Sequence, residues 1–260
     1  MTSFAYIPIL VAVSLFLGML LFQEIGRRIG ICQIAKNPEE RNLESSGTTE
    51  AAIFALFGLL VAFTFSGAAS RFDDQRHLIA EETNAIGTAY LRLDLVSADA
   101  RSALQGLFNQ YLDARLEFYK KLPDTESAQV EWNKSMSLQN AIWTRAVEAC
   151  QAQANPSVCV VLLPALNEMI DITTTRKMST LMHPPIIIFI LLFVFAIGCS
   201  FVGGCGMARS NQRRWVHNSV FAAMVAITVY VIIDIEYPRS GIIRVDTADQ
   251  VLIELRSSMN

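Results

Sequence analysis

AAIFALFGLLVAFTFSGAASRFDDQR, residues 51–76, decides the fold. Ala51 to Ala69 gives 19 residues without a charge, enough at about 1.5 Å per residue to cross a hydrocarbon core of about 30 Å. Arg71, Phe72, Asp73, Asp74 and Arg76 follow with no Pro or Gly-Pro break. The stretch therefore predicts a spanning helix that passes directly into a charged one. Gly58, Ala62, Ser66 and Ser70 recur every four residues, a small-residue stripe of the kind that lets helix backbones approach in lipid. Leu59 and Phe63 lie beside the stripe, with Ala55 one turn earlier. Two readings follow. The helix packs on its neighbours through the stripe, or it lines a pore in which hydroxyl positions adjoin an apolar constriction that gates by dewetting. The spacing alone does not choose between them.

Composition agrees with membrane insertion. The chain has 260 residues, 52% of them hydrophobic, with a mean hydropathy of +0.36, more apolar than an average soluble domain. Its 21 basic and 24 acidic residues give a net charge of -3. With no cluster of Lys and Arg, that excludes a strongly basic nucleic-acid binder. Of five cysteines, Cys150 and Cys159 form the one pair in polar surroundings, a candidate disulfide if that region meets an oxidising compartment. They do not match a zinc spacing.

Taken in order, the chain reads as an all-α membrane protein with four transmembrane helices and a helical extramembrane bundle between the second and third. The expected parts are 1–70 (first helix pair and polar loop), 71–184 (bundle), 185–235 (second helix pair) and 236–260 (tail). Tyr6 to Phe22 is the first span, ended by Gln23-Glu24. The absence of Lys or Arg in residues 1–5 argues for a retained helix over a signal peptide. Glu24 to Ala35 fits a short interfacial helix, and Ser45 to Thr49 a loop with an N-cap. In the bundle, Ile79, Thr83, Ile86, Tyr90 and Leu93 step by 4, 3, 4 and 3, a helix-packing seam. Ser97 and Asp99 open the next helix, and Lys120-Lys121 and Pro123 end it. Val130 to Cys150 is the third bundle helix. Asn155-Pro156 opens the fourth, and Pro164 inside it predicts a kink or a later start. His183-Pro184-Pro185 breaks the chain before the third span, Pro185 to Gly206, where Gly198, Gly203, Gly204 and Gly206 suit close packing. Arg209, Arg213, Arg214 and Trp215 form a basic turn before the fourth span, Val216 to Ile233. The tail has apolar residues enough to dock as a helix and too few to fold alone.

The segments FTFSGAASRFDDQR, EETNAIGTAYLRLDL, LLPALNEMIDITTTR and EYPRSGIIRVDTADQ resemble the bacterial bestrophin-like integral membrane proteins over most of the chain. More distantly, Arg71 to Arg76 is similar to the Arg-Trp-Trp-Glu-x-Arg element after the second membrane helix of bestrophins, with Asp73 and Asp74 replacing Trp-Glu. Bestrophins are homopentameric anion channels whose neck is lined by second-helix apolar residues at i, i+4 and i+8. The resemblance implies a neck of Ala55, Leu59 and Phe63, although Ala55 is smaller than that pattern. It also implies a polar exit at Ser66 and Ser70, a mouth shaped by Arg71 and Arg76, a homo-oligomer (a pentamer), and small inorganic ions as cargo. Both termini and the bundle would lie in the cytoplasm of a bacterium whose inner membrane holds the protein. Positive-inside counting does not decide the orientation: seven basic residues lie in the two short loops, and seven lie close to the spans or in the tail on the other side. The cysteine pair leans the other way.

An enzyme would need a site, and no phosphate loop, nucleophile elbow or cofactor motif is present. Asp73, His77 and Glu81 share a helix face, and Asp74–His77 has a carboxylate–His spacing that Glu168 and Asp171 could complete. Without two Glu-x-x-His pairs, a solvated charged face is favoured over a metal site. Asp234 and Glu236 at a membrane edge are read as solvated cappers, with an ion path as the alternative. Glu81, Glu82, Asn84 and Thr88 fit a vestibule in which carboxylates would repel anions. The leading expectation is an ion channel lined by the second span in a lipid bilayer. Its rival is a non-conducting scaffold or sensor whose bundle binds a partner protein.

Overall fold

The computed structural model describes residues 6–36, 45–122, 124–152, 156–210, 215–239, 241–245 and 249–259. Among these the chain is helical with no strand. The helices are α1 (Ile7–Lys36), α2 (Ser45–Leu91), α3 (Ala98–Lys121), α4 (Thr125–Gln151), α5 (Ser157–Leu181), α6 (Ile186–Ser210), α7 (Trp215–Glu236) and α8 (Gln250–Ser258). Four apolar stretches among the described residues, carried by α1, α2, α6 and α7, are long enough to cross a membrane. The chain divides into two compact units: Thr2–Arg71 with His183–Tyr237, and Phe72–Met182 with Pro238–Asn260.

In the first unit α1 runs without interruption to Lys36, so Gln23-Glu24 does not end it and no separate interfacial helix forms. The reason is local. Glu24 is paired three and four residues on with Arg27 and Arg28, at 2.7 and 2.9 Å, which lets a charged turn continue the helix. α1 packs on α6 at very close range. A Cβ on Gly26 would collide with the backbone of Phe201, and one on Gly204 with the backbone of Gln23, standing 3.0 Å from the Arg27 amide. The Cys205 thiol donates to the Gly26 carbonyl across this contact, 3.3 Å. Gly204 thus packs as the sequence predicts, whereas Gly198 has open space around it. Leu15, Met19, Leu192, Ala196 and Val229 form the core of this unit with Phe57 and Ala68 of α2. The predicted loop at 45–49 is helical, because α2 begins at Ser45. Of the basic turn, residues 211–214 lie outside the described residues.

In the second unit the remainder of α2 shares one hydrophobic core with α3, α4, α5 and α8. Ile79, Ile86 and Leu93 are buried as the 4-3 step requires, and α3 adds Leu104, Phe108, Tyr111 and Leu112. α4 starts five residues before the predicted Val130. The Asp124 carboxylate caps it, accepting from the Glu126 and Ser127 amides at 3.2 and 3.5 Å. α5 begins at Ser157 and runs through Pro164, so there is no later start; Asn155, the expected cap, lies outside the described residues. The tail docks as α8. Leu252 is buried, Tyr90 Oη donates to the Met259 carbonyl at 3.0 Å, and Arg256 pairs with Asp113 at 2.7 Å.

The open face of α2 and two ionic clusters

A helix advances about 100° per residue, so Phe57, Thr64 and Ala68 share one side of α2 and Ala55, Leu59, Phe63, Ser66 and Ser70 the other. The structure buries the first set and exposes all of the second. Phe63 is 68% exposed and Leu59 51%, large apolar side chains left open among the described residues. Gly58 and Ala62, the rest of the small-residue stripe, are exposed too. The stripe therefore does not pack α2 onto its own chain. That contact is made by Phe57 and Ala68 and by Phe54 edge-on to Phe221 at 5.6 Å, while the buried Thr64 satisfies its hydroxyl within α2, donating to the Leu60 carbonyl at 2.7 Å.

The end of this unit is closed by an ion cluster. Arg71, the last residue of its α2 portion, holds the Glu236 carboxylate with Nε at 3.1 Å from both oxygens and Nη2 at 2.8 Å. His183 Nδ1 lies 3.2 Å from the same carboxylate, and its ring packs on Tyr237 with centroids 4.6 Å apart. Glu236 is 3% exposed and Asp234 1%. The expected solvated cappers are instead buried and bonded, Asp234 accepting from Tyr230 Oη at 3.3 Å. A carboxylate taken out of water needs such hydrogen-bond partners. Arg71 is accordingly paired with Glu236. In the other unit Arg76 is exposed, 3.5 Å from Asp73.

The bundle carries a second cluster, which the sequence reading missed apart from Glu82. Glu82 does not line a vestibule. It is fully buried, and its carboxylate accepts from Arg115 Nε at 2.7 Å, from Tyr119 Oη at 2.9 Å and from Arg176 Nη1. Arg115 Nη2 also donates to Tyr119 Oη. Arg176 reaches Asp249 at 2.7 Å, and Arg239 meets the same carboxylate at 2.8 Å, so the docked tail is tied to the bundle through charge. The Arg176 guanidinium lies 3.5 Å over the Tyr119 ring. Burial works most strongly against the Arg115 charge, but the Glu82 carboxylate together with the Tyr119 and Tyr111 side chains offsets it and holds the guanidinium above its ordinary range. Burial pushes the Tyr119 phenol up, so it remains a donor. The signal for this cluster lay in the periodicity. Glu82 falls on the Ile79–Ile86 seam, and Arg115 continues the apolar step of Phe108, Tyr111 and Leu112.

Asp73, Asp74, His77 and Glu81 stand exposed on α2, and Glu168 and Asp171 on α5. Each set is an exposed charged stretch of its own helix. Among the described residues no His, Cys, Asp and Glu group has the geometry to hold a metal.

Four membrane-length helices and a charge-locked helical bundle define a multi-pass α-helical membrane protein. Residues 34–250 match the family model for the Bestrophin-like domain. The chain belongs to the bestrophin-like family. No curated protein and no solved structure matches it.

Proposed function

We propose that this bestrophin-like membrane protein is a homo-oligomeric ion channel, conducting anions through a pore lined by α2. One observation supports this most. α2 turns Phe57, Thr64 and Ala68 into its own unit and leaves Ala55, Leu59, Phe63, Ser66 and Ser70 uncovered. Copies arranged about an axis, five by resemblance, would set rings of Phe63, Leu59 and Ala55 in line as an apolar constriction. The Ser66 and Ser70 hydroxyls would follow as a polar exit. Such a constriction keeps water out until it widens. Arg71 and Arg76 would shape the field at its mouth, with the Arg71 charge offset by its Glu236 partner. Glu82, the carboxylate that would oppose an anion, is matched by two guanidinium groups. The protein would sit in a bacterial inner membrane with the bundle in the cytoplasm, its partners being lipid, small inorganic ions and further copies of itself.

The test is halide efflux from liposomes holding the full chain, wild type beside Phe63→Ala. If the Phe63 ring is the barrier, the variant conducts at least about tenfold faster, the effect of lowering a barrier by about 1.4 kcal/mol. No efflux from either, with protein folded and inserted, would replace the channel by a non-conducting scaffold or sensor whose bundle binds a partner.

A further inference from the structure

Cys150 closes the last turn of α4 and Cys159 lies in the first turn of α5, and the two helices are joined by a short connection. The sequence places both in polar surroundings. The structure puts Cys150 in the hydrophobic core of the bundle, 8% exposed, with Cys159 packed against that core and partly exposed. The Cys159 thiol, packed against the same core at the facing helix end, lies within interaction range of the Cys150 thiol. Helix geometry holds each of them from its own side: the Cys150 carbonyl accepts from Ala152, and the Cys159 amide donates to Pro156 at 3.1 Å. The other cysteines differ. Cys32 is exposed on α1, Cys199 is buried in the core of the other unit, and Cys205 donates to a backbone carbonyl.

We propose that Cys150 and Cys159 are a reversible dithiol–disulfide pair, a modification site that takes a low-molecular-weight or protein disulfide as its oxidant. The inference is independent of conduction. Exposure assigns the roles. Cys159, the accessible partner, loses its proton to water and attacks one sulfur of the oxidant. The oxidant's S–S bond breaks, one thiolate leaves with the electron pair, and Cys159 is held in a mixed disulfide. Cys150 then gives up its proton and attacks the Cys159 sulfur, forming the internal bond and expelling the second thiolate. Two protein thiols are oxidised and the oxidant is reduced to two thiols, which take up the protons released. Burial first, and the neighbouring Cys159 thiol second, push the Cys150 thiol up to about 12. Cys150 is therefore a poor first nucleophile and acts as the resolving thiol. In a reducing cytosol the pair rests as two thiols and closes only under oxidant, the usual pattern there.

The experiment treats reduced full-length protein in detergent micelles with 4,4′-dithiodipyridine and maps each cysteine by peptide mass spectrometry. Wild type is expected to end with a peptide pair lighter by two hydrogens and with no pyridyl group on Cys150 or Cys159. Cys150→Ser should keep a stable pyridyl adduct on Cys159. In Cys159→Ser, labelling of Cys150 should be at least about tenfold slower than labelling of Cys159 in Cys150→Ser. Stable pyridyl adducts on wild-type Cys159, or equal labelling rates in the two variants, would overturn the proposal. Because wild type alone distinguishes bridge from adduct, the result does not depend on either variant folding.

Discussion

Replacing Glu82 by leucine is expected to destabilise the bundle by about 3–5 kcal/mol, the cost of leaving buried cations without their counter-charge. Two guanidinium groups converge on this carboxylate, and neither Arg115 nor Arg176 can reach water when it is gone, being 0% and 3% exposed. Arg176 keeps Asp249, but no carboxylate other than Glu82 pairs with Arg115 among the described residues. With folding free energies of about 5–15 kcal/mol, the loss takes a large share of the total. Thermal unfolding of purified protein should show it as a drop of many degrees. Two comparisons make the assignment specific. Glu81→Gln, one residue away and exposed, should stay within about 0.5 kcal/mol of wild type. Glu82→Leu combined with Arg115→Met should be more stable than Glu82→Leu alone, because the orphaned cation is removed with its partner. If Glu82→Leu and Glu81→Gln unfold alike, the carboxylate is not the centre of the cluster.

Gly204→Leu should prevent α1 and α6 from meeting. The added Cβ collides with the Gln23 carbonyl and stands 3.0 Å from the Arg27 amide, and backbone atoms cannot move aside as a side-chain tip can. Even Gly204→Ala should cost about 1–3 kcal/mol, as overpacking does in tight interiors. The larger residue forces the helices apart and opens the Cys205–Gly26 contact with them. Monodispersity and the midpoint of heat-induced aggregation in detergent read the outcome. Gly198→Ala is the control, since nothing lies within 4 Å of its added carbon and alanine is the better helix former. A Gly204→Ala protein as robust as Gly198→Ala would show that α1 and α6 do not approach so closely.

What the sequence disclosed, and what it hid, follows from the kinds of force involved. Hydropathy and length fix membrane-length helices, because one unpaired charge in about twenty apolar residues is already expensive. The 4-3 step of Ile79, Ile86 and Leu93 gave the bundle seam for the same reason: apolar burial is periodic. Helix ends were less legible. Gln23-Glu24 and Ser45 to Thr49 look like breaks, yet pairing of Glu24 with Arg27 and Arg28 carries α1 onward, and α2 takes in Ser45 to Thr49. Charge partners were least legible of all. Glu82 and Arg115 are 33 residues apart, and Arg71 and Glu236 are 165 apart. Their pairing depends on how helices are laid side by side, which no local pattern states. A charged residue on an apolar step was the one available hint, and it pointed to Glu82 and Arg115 without naming their partnership. The open side of α2 was visible as a stripe. The finding that the same chain leaves it uncovered needed the positions of α1, α6 and α7.

The most direct test of the pore assignment places single cysteines on opposite sides of α2 and measures halide flux from liposomes before and after a charged, membrane-impermeant methanethiosulfonate reagent. Ser66→Cys lies on the open side and Thr64→Cys on the buried one, with wild type as the control for the native thiols. A pore along the open side predicts that the reagent removes most of the flux through Ser66→Cys and leaves Thr64→Cys and wild type unchanged. Undiminished flux through modified Ser66→Cys, or equal loss at Thr64→Cys, would contradict it.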